Sequence, residues 1–463
     1  MIYSNTFSLD HAPFEALTVE VADHLQSTFG LHAGDRVGIC APNRPEYGVL
    51  LFALFRLGVV AVPLNWRFPP SQMLDLLDHT GVNILFFDPV RSVSFDVPQI
   101  VTHPLPDIMP TQRLPKKSCQ PFGFLDRLDQ PATLIFTSGS SGVPKAALHT
   151  IGNHVYSALG SNQNIPFGAG DRWLLSLPLF HVGGLAILFR AWVGGGSVVI
   201  PDSEHDLSQS IEMFEVTHLS LVATQLYRLL AVEAGIRALK RLKAILLGGS
   251  AIPSRLIRQA VDLNLPVYTS YGSTEMASQI TTTQPGDSLD RLLTSGKVLA
   301  HRQLRIADDG EILVRGKTLF QGYVRGDQLH PARDGNGWFH SGDVGKLDEQ
   351  GYLVVTGRRD NLFISGGENI QPEEIEQALR EVTGVVEAVV VPVDHPEFGK
   401  RPVAFLQFSE TPLPADVLRA ELAKKIARFK IPDDFYPFPA RVPQTGIKRN
   451  RAFFQDYAES LKA

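Results

Sequence analysis

The sequence predicts an α/β protein, with a large N-terminal domain of mixed sheets and packed helices followed by a smaller α+β domain. Three observations predict it. Short apolar runs alternate with helical patterns for most of the length, as expected of sheets covered by helices. The style changes near residue 300, where short strands at Glu311–Val314 and Tyr352–Thr356 are separated by glycine-rich turns. Beyond Arg359 a further rhythm begins, with its own helix signals and two apolar strands.

The elements follow in order. Strands are expected at Val37–Cys40, Ile84–Phe87, Thr133–Phe136, Leu174–Leu177, Ser197–Ile200, Leu242–Leu247 and Val267–Ser270. Helices lie between several of them, as at Glu46–Leu57 and Ser254–Val261. The longest apolar run, Gly48 to Leu64, carries Arg56 near its middle and Pro63 near its end. A membrane span needs about 20 apolar residues without a central charge, so this run is read as a buried helix followed by a strand. From Pro89 to Pro121, prolines at 98, 104, 106, 110 and 115 interrupt a stretch with little periodicity. It is read as an irregular surface connection.

Further on, Pro372 fits the first position of a helix, and Glu373, Glu374 and Glu376 suit a helix N-terminus. Ile375, Leu379 and Val382 then fall on one face. Strands Val385–Val393 and Val403–Phe408 and a helix over Pro414–Phe429 complete this unit. The polar segment Arg358–Asn361 is the expected boundary, giving domains 1–359 and 360–463.

Composition removes several function classes. Hydrophobic residues at 44% and charged residues at 20% are ordinary for a folded chain, which excludes disorder and collagen-like structure for most of the length. Lys+Arg at 43 against Asp+Glu at 48 leave a formal charge of −5, too little basic field for a nucleic-acid binder. Cys40 and Cys119 cannot build a disulfide framework or a thiolate metal site. The opening residues MIYSNTFSLD lack the basic and apolar regions of a signal peptide. The expectation is a cytoplasmic enzyme without a membrane span, as a monomer or homodimer.

The most informative stretch is Thr137-Ser138-Gly139-Ser140-Ser141-Gly142-Val143-Pro144-Lys145, which follows a strand. Glycines let backbone N–H groups converge on an anion, hydroxyls donate further bonds, and Lys145 adds charge. It is not a Walker A loop, because the spacing differs and Pro144 precedes the lysine. A phosphate-binding loop is the favoured reading and a flexible surface loop the alternative.

With this loop, four further segments in order resemble the acyl-adenylate-forming superfamily of acyl- and aryl-CoA ligases, luciferases and adenylation domains. They are Tyr271-Gly272-Ser273-Thr274-Glu275, Trp338-Phe339-His340-Ser341-Gly342-Asp343, Gly357-Arg358-Arg359-Asp360 with Ser365-Gly366-Gly367-Glu368-Asn369, and Gly446-Ile447-Lys448. The resemblance spans almost the whole chain. It implies ATP, Mg²⁺ and CoA, and a mobile C-terminal domain that rotates between two half-reactions.

The resemblance also implies residue roles. Lys448 bridges carboxylate and phosphate during adenylation, Glu275 helps hold Mg²⁺ and Thr274 bonds the α-phosphate. Asp343 accepts from the ribose hydroxyls and Arg358 adds a second ribose contact. Tyr271 lies against adenine, with Gly272 beside it and the Gly248-Gly249-Ser250 turn edging the base. Asp360 is the hinge, and Gly366-Gly367 faces the pantetheine tunnel, where absence of a Cβ lets a narrow chain pass. Taken one at a time, Asp343 reads equally as a turn former, Lys448 as a solvated lysine and Gly366-Gly367 as a simple turn.

Several departures resemble one branch, the o-succinylbenzoate–CoA ligases of menaquinone and phylloquinone biosynthesis. They are the loop ending Lys145-Ala146-Ala147-Leu148-His149-Thr150, the order Gly-Ile-Lys at 446–448, and the segments Leu177–Gly184 and Ala223–Leu226. The implied substrate is an aromatic dicarboxylate with a ketone, activated at its aliphatic carboxylate. Its second carboxylate needs a partner, since an unpaired buried charge is heavily penalised. Arg190 is the candidate, with Ser220 and Thr224 as weaker ones. His181 matches the histidine at the acyl pocket. The alternatives are a surface-snorkelling arginine and a packed, satisfied histidine. Another small acyl- or aryl-CoA ligase with a different acid is the rival function, and a non-catalytic acyl-adenylate sensor the remote one. The basic run Lys424, Lys425, Arg428, Lys430 is read as the solvated face of an amphipathic helix.

Overall fold

The computed structural model describes residues 1–4, 8–90, 100–108, 123–137, 144–201, 206–439 and 451–462. Among these residues, two large sheets carry the first part of the chain. One has eight strands in the order Gln328–His330, Gly322–Arg325, Lys145–Thr150, Pro131–Thr137, Val60–Pro63, Arg36–Cys40, Ile84–Phe87 and Val101–Pro104. The other has nine, in which Arg172–Leu174, His218–Leu221, Ala244–Leu247 and Val267–Ser273 run parallel as neighbours.

A core of buried apolar residues joins the sheets. It contains Val37, Ile39 and Ile135 of one sheet and Val198, Ala244 and Leu246 of the other. The helices Pro45–Leu57 and Val182–Gly194 belong to the same core. Both are apolar around most of their circumference, the composition of a helix without a solvent face. Phe52 and Phe55 meet Phe189 between them, with ring centroids 6.0 and 5.7 Å apart. Arg56, at the end of the first helix, pairs with Glu15, so its charge is neutralised in place. No helix among the described residues is long and apolar enough to cross a membrane.

A four-stranded antiparallel sheet follows, ordered Arg302–Ile306, Glu311–Gly316, Phe339–Leu347 and Leu353–Arg358. After a short 3-10 turn at Arg359–Asn361 comes the hairpin Phe363–Ser365 and Glu368–Ile370. The last sheet pairs Val385–His395 with Gly399–Phe408 and adds Asp434–Pro437. Its two faces follow the period-2 rule of strands. Val389, Val391 and Val393 pack with Phe454 and Ala458 of the helix Arg451–Lys462. Ala388 and Val390 pack on the other face with Ile375, Leu379, Leu418 and Leu422.

Three sequence expectations are corrected. The strand expected at Leu174–Leu177 is Arg172–Leu174, because Ser176 N–H turns back to the Leu174 carbonyl at 2.9 Å and ends the ladder. The stretch expected to be irregular holds the strand Val101–Pro104 and a 3-10 turn at Leu105–Ile108. That strand is at the sheet edge, where a proline does not break a ladder. The helix expected over Pro414–Phe429 spans Ala415–Ala423. The lysines beyond it leave the helix surface: Lys425 pairs with Glu381 at 3.0 Å and Lys430 with Glu374 at 2.6 Å.

Candidate active site

The predicted residues gather where chain geometry places ligands in parallel sheets, at the carboxyl ends of neighbouring strands. Ser220 is among the last two residues of His218–Leu221 and Thr224 follows that strand, Gly248–Ser250 follows Ala244–Leu247, and Tyr271–Glu275 closes Val267–Ser273. A Cβ at Gly248 would come 2.7 Å from Ser270 Oγ, so a side chain there would displace that hydroxyl.

Asp343 is fixed from three sides. Gly342 before it has φ +69°, a left-handed backbone that favours glycine. The Gly342 N–H donates to Glu311 Oε1 at 2.9 Å, and Glu311 is 2% exposed. Tyr271 Oη donates to Asp343 Oδ2 at 2.6 Å, and Arg358 Nη1 donates to Oδ1 at 3.0 Å. Asp343 and Arg358 are also a registered cross-strand pair. Arg358 Nη2 reaches Asp360 Oδ2 at 3.1 Å. Tyr271, Asp343, Arg358 and Asp360, separate in the sequence, thus form one chain of bonds. Burial, then the charge of Asp343, pushes the Tyr271 phenol well above its usual range, so it stays a donor.

Glu275 sits in the 3-10 turn Thr274–Met276, followed by Ala277 and Ser278 at φ +52° and +107°. Non-glycine residues there store about 1–3 kcal/mol each. Ser157 Oγ donates to the Ala277 carbonyl at 2.6 Å, and the His149 ring lies 2.7 Å from the Thr274 carbonyl. His149 is buried, and desolvation pushes its pKa down to about 4. Tyr323 Oη donates to Glu275 Oε1 at 2.8 Å, and Lys145 Nζ lies 5.2 Å from the Tyr323 ring centroid.

Among the described residues no group of three or more His, Cys, Asp or Glu is arranged to hold a metal. A half-buried carboxylate whose one side-chain hydrogen bond among the described residues is to a phenol nonetheless suits Mg²⁺, which takes one or two carboxylates and completes its shell with phosphates and water. Thr137 and Lys145 pair across two strands at the two ends of the candidate phosphate loop. Ser138, Gly139, Ser140, Ser141 and Gly142 lie outside the described residues, as does Lys448.

His181, the candidate for the acyl pocket, precedes the helix Val182–Gly194. Desolvation, then the charge of Arg67, pushes its pKa down to about 4, so the imidazole is neutral at pH 7. The tight turn before this helix requires Gly184, whose Cβ would lie 2.2 Å from the Pro178 carbonyl oxygen. Arg190, on the same helix, shares no hydrogen bond with His181. It is 1% exposed, stacks 4.8 Å over Trp173 and donates Nη2 to Gln279 Oε1 at 2.7 Å. Its Nε has no partner, and among the described residues no carboxylate pairs with it. Desolvation pushes its pKa down to about 9. Trp173 Nε1 donates to Ser220 Oγ at 3.1 Å, which joins Ser220 to the Arg190 group. Thr224 is exposed and makes no such bond.

Gly366 and Gly367 form the hairpin tip, both left-handed at φ +57° and +86°. The Gly366 N–H donates to the Phe398 carbonyl at 3.0 Å. Among the described residues no hydrogen bond or ion pair joins this tip to Glu275 or Asp343.

This geometry has relatives. The AMP-binding enzyme family matches residues 1–324, and the AMP-binding enzyme C-terminal domain matches residues 374–449. The chain belongs to the AMP-binding enzyme family. Among curated relatives of this family member, the 2-succinylbenzoate–CoA ligase of Bacillus velezensis is 37% identical over 90% of this chain and 86% of its own. Among solved structures, o-succinylbenzoate CoA synthetase from Bacillus subtilis in complex with the acyl-adenylate intermediate matches with a TM-score of 0.84 and 33% identity. It covers 96% of this chain and 92% of that one. The same enzyme in complex with ATP and magnesium ion gives 0.82 at 32% identity, over 96% and 93%. The adenylate-forming fold expected from the motifs is therefore the fold of this AMP-binding enzyme.

Sequence reasoning missed Tyr323, Glu311 and Gln279, and it quoted His149 only as part of the loop segment, without its bond to the Thr274 carbonyl. Each acts on a motif residue from a distant part of the chain, and no local spacing marks it.

Proposed function

We propose that this AMP-binding enzyme is an o-succinylbenzoate–CoA ligase. It converts o-succinylbenzoate, ATP and CoA to o-succinylbenzoyl-CoA, AMP and pyrophosphate. The aliphatic carboxylate oxygen attacks the ATP α-phosphorus, the bond to the β-phosphate oxygen breaks, and pyrophosphate leaves. The CoA sulfur then attacks the acyl carbon, and AMP departs with the carboxylate oxygen. The thiol proton goes to solvent or to the departing phosphate.

The observation that carries the choice of acid is Arg190. A guanidinium that is 1% exposed and has no carboxylate partner among the described residues carries a desolvation penalty, which an anion brought by the ligand would offset. A dicarboxylate supplies one, directly or through water, and Ser220 lies in the same packed group. Likeness to the 2-succinylbenzoate–CoA ligases over nine-tenths of the chain supports the same acid.

The remaining roles follow from charge development at phosphorus. Lys448 and Lys145, with Thr137 through Gly142, offset phosphate charge, and Thr274 bonds the α-phosphate. When bound at Glu275, Mg²⁺ supplies charge neutralisation on the phosphate oxygens. Asp343 receives the ribose hydroxyls, held in place by Tyr271 and Arg358, while Tyr271, Gly272 and Gly248–Ser250 border the base. A neutral His181 can lie beside the acyl group without competing for its carboxylate. Rotation of residues 360–463 about Asp360 would bring Gly366-Gly367 to the thiol path. A cytoplasmic location suits an enzyme fed by free ATP and CoA.

The test is an assay with ATP, Mg²⁺, CoA and o-succinylbenzoate, read by mass spectrometry. Thioester on the aliphatic carboxylate is the expected product. AMP and thioester from other acids only would overturn the substrate, and adenylate without thioester would overturn the CoA role.

A further inference from the structure

Glu275 is held by the chain segment 320–323 at two points. The Phe320 N–H donates to the Glu275 carbonyl at 2.8 Å, and Tyr323 Oη donates to Oε1 at 2.8 Å. Tyr323 lies on the strand Gly322–Arg325, opposite Ala147 of Lys145–Thr150. Glu275 lies beyond the end of a strand in the other large sheet. The phenol therefore bridges the strand that leaves the phosphate loop and the turn that carries the carboxylate.

Two consequences follow from this placement. A carboxylate with both oxygens free can rotate or chelate, whereas Mg²⁺ demands near-octahedral geometry and seldom takes both oxygens of one group. A bond to Oε1 fixes the carboxylate's orientation and leaves Oε2 as the oxygen without a competing donor among the described residues. The same ring that bonds Glu275 also lies beside Lys145. It holds the ammonium 5.2 Å from its centroid, within cation–π range.

We propose that Tyr323 is a positioning residue that presents one oxygen of Glu275 to Mg²⁺ and keeps Lys145 free for the phosphates. The proposal rests on the reading of Glu275 as a metal ligand. Tyr323→Phe removes only the hydroxyl and leaves the ring against Phe320, whose centroid is 4.9 Å away.

The experiment measures Mn²⁺ binding by electron paramagnetic resonance to the full chain with a non-hydrolysable ATP analogue present. Binding of the analogue without metal is measured in parallel. Loss of a hydrogen bond to a charged group predicts a Kd for Mn²⁺ raised roughly tenfold or more, with metal-free analogue binding unchanged. If Glu275→Gln weakens Mn²⁺ binding and Tyr323→Phe does not, the role of Tyr323 is overturned and the metal reading stands. If neither substitution changes Mn²⁺ binding, both fall. Equal weakening of analogue binding with and without metal would make Tyr323 a structural residue and overturn the proposal.

Discussion

Asp343 and Arg358 face each other across two strands in register, 3.0 Å apart through Nη1, and the same guanidinium reaches Asp360 at 3.1 Å through Nη2. One side chain thus links the candidate ribose carboxylate to the candidate hinge. Arg358→Lys cannot reproduce this link, because an ammonium lacks the rigid fork that serves two carboxylates. Loss of a charge-assisted bond predicts a KM for ATP raised roughly 10- to 100-fold in the adenylation step. Pyrophosphate exchange measures it. An unchanged KM would separate Arg358 from the nucleotide.

Arg190→Ala is expected to raise KM for the dicarboxylate on the order of 100-fold, as for removal of one partner of a buried charge pair. A benzoate lacking the second carboxylate should be affected far less. Arg302 is the internal control, since it is 6% exposed, has a pKa pushed down to about 9 by burial and then by the charge of Arg190, and among the described residues bonds only to Ala300 and Ser157 oxygens. Its burial shows that this fold can hold a cation on neutral oxygens alone. Parallel loss with both substrates would assign Arg190 the same structural role.

Elements set by local pattern were legible in the sequence. Ile84–Phe87 occurs with the expected bounds, because four apolar residues ended by Asp88 can be buried only as a short strand. Pro372 and the glutamates after it start a helix where expected, since φ at proline and the helix dipole are local properties. Contacts made by the folded chain were not legible. Tyr323 and Glu275 are 48 residues apart, and nothing near either names the other. The motif residues could be found from their own segments, whereas the groups that aim them come from other strands, Tyr323 from another sheet and Glu311 from a neighbouring strand of the same sheet.

Lys448→Ala is expected to slow adenylation roughly 100- to 1,000-fold, the effect of removing one donor from a developing anion. Thioester formation from supplied acyl-adenylate should persist, because that step attacks the acyl carbon and not the phosphorus. Single-turnover measurements of the two half-reactions separate the outcomes. Equal loss in both would remove Lys448 from the first step.

His149 gives a pH dependence of stability with a definite sign. Its ring is fully buried, and desolvation lowers its pKa from 6.5 to about 4 in the folded chain. Between these values the unfolded chain binds a proton that the folded chain does not, so stability rises with pH through this window. Above pH 6.5 the group is neutral in both states and costs nothing. As pH falls toward 4 the penalty grows to a ceiling of about 3 kcal/mol. His154 lies beside it with the rings tilted and their centroids 5.0 Å apart, its pKa pushed down by desolvation and then by His149, and acts in the same direction. Urea midpoints should therefore fall between pH 7 and pH 5. His149→Gln, which keeps a donor for the Thr274 carbonyl, should shallow that fall. Parallel losses in parent and variant would mean that the ring accepts its proton inside the fold, and the bond from His149 to the turn bearing Glu275 would then survive acidification.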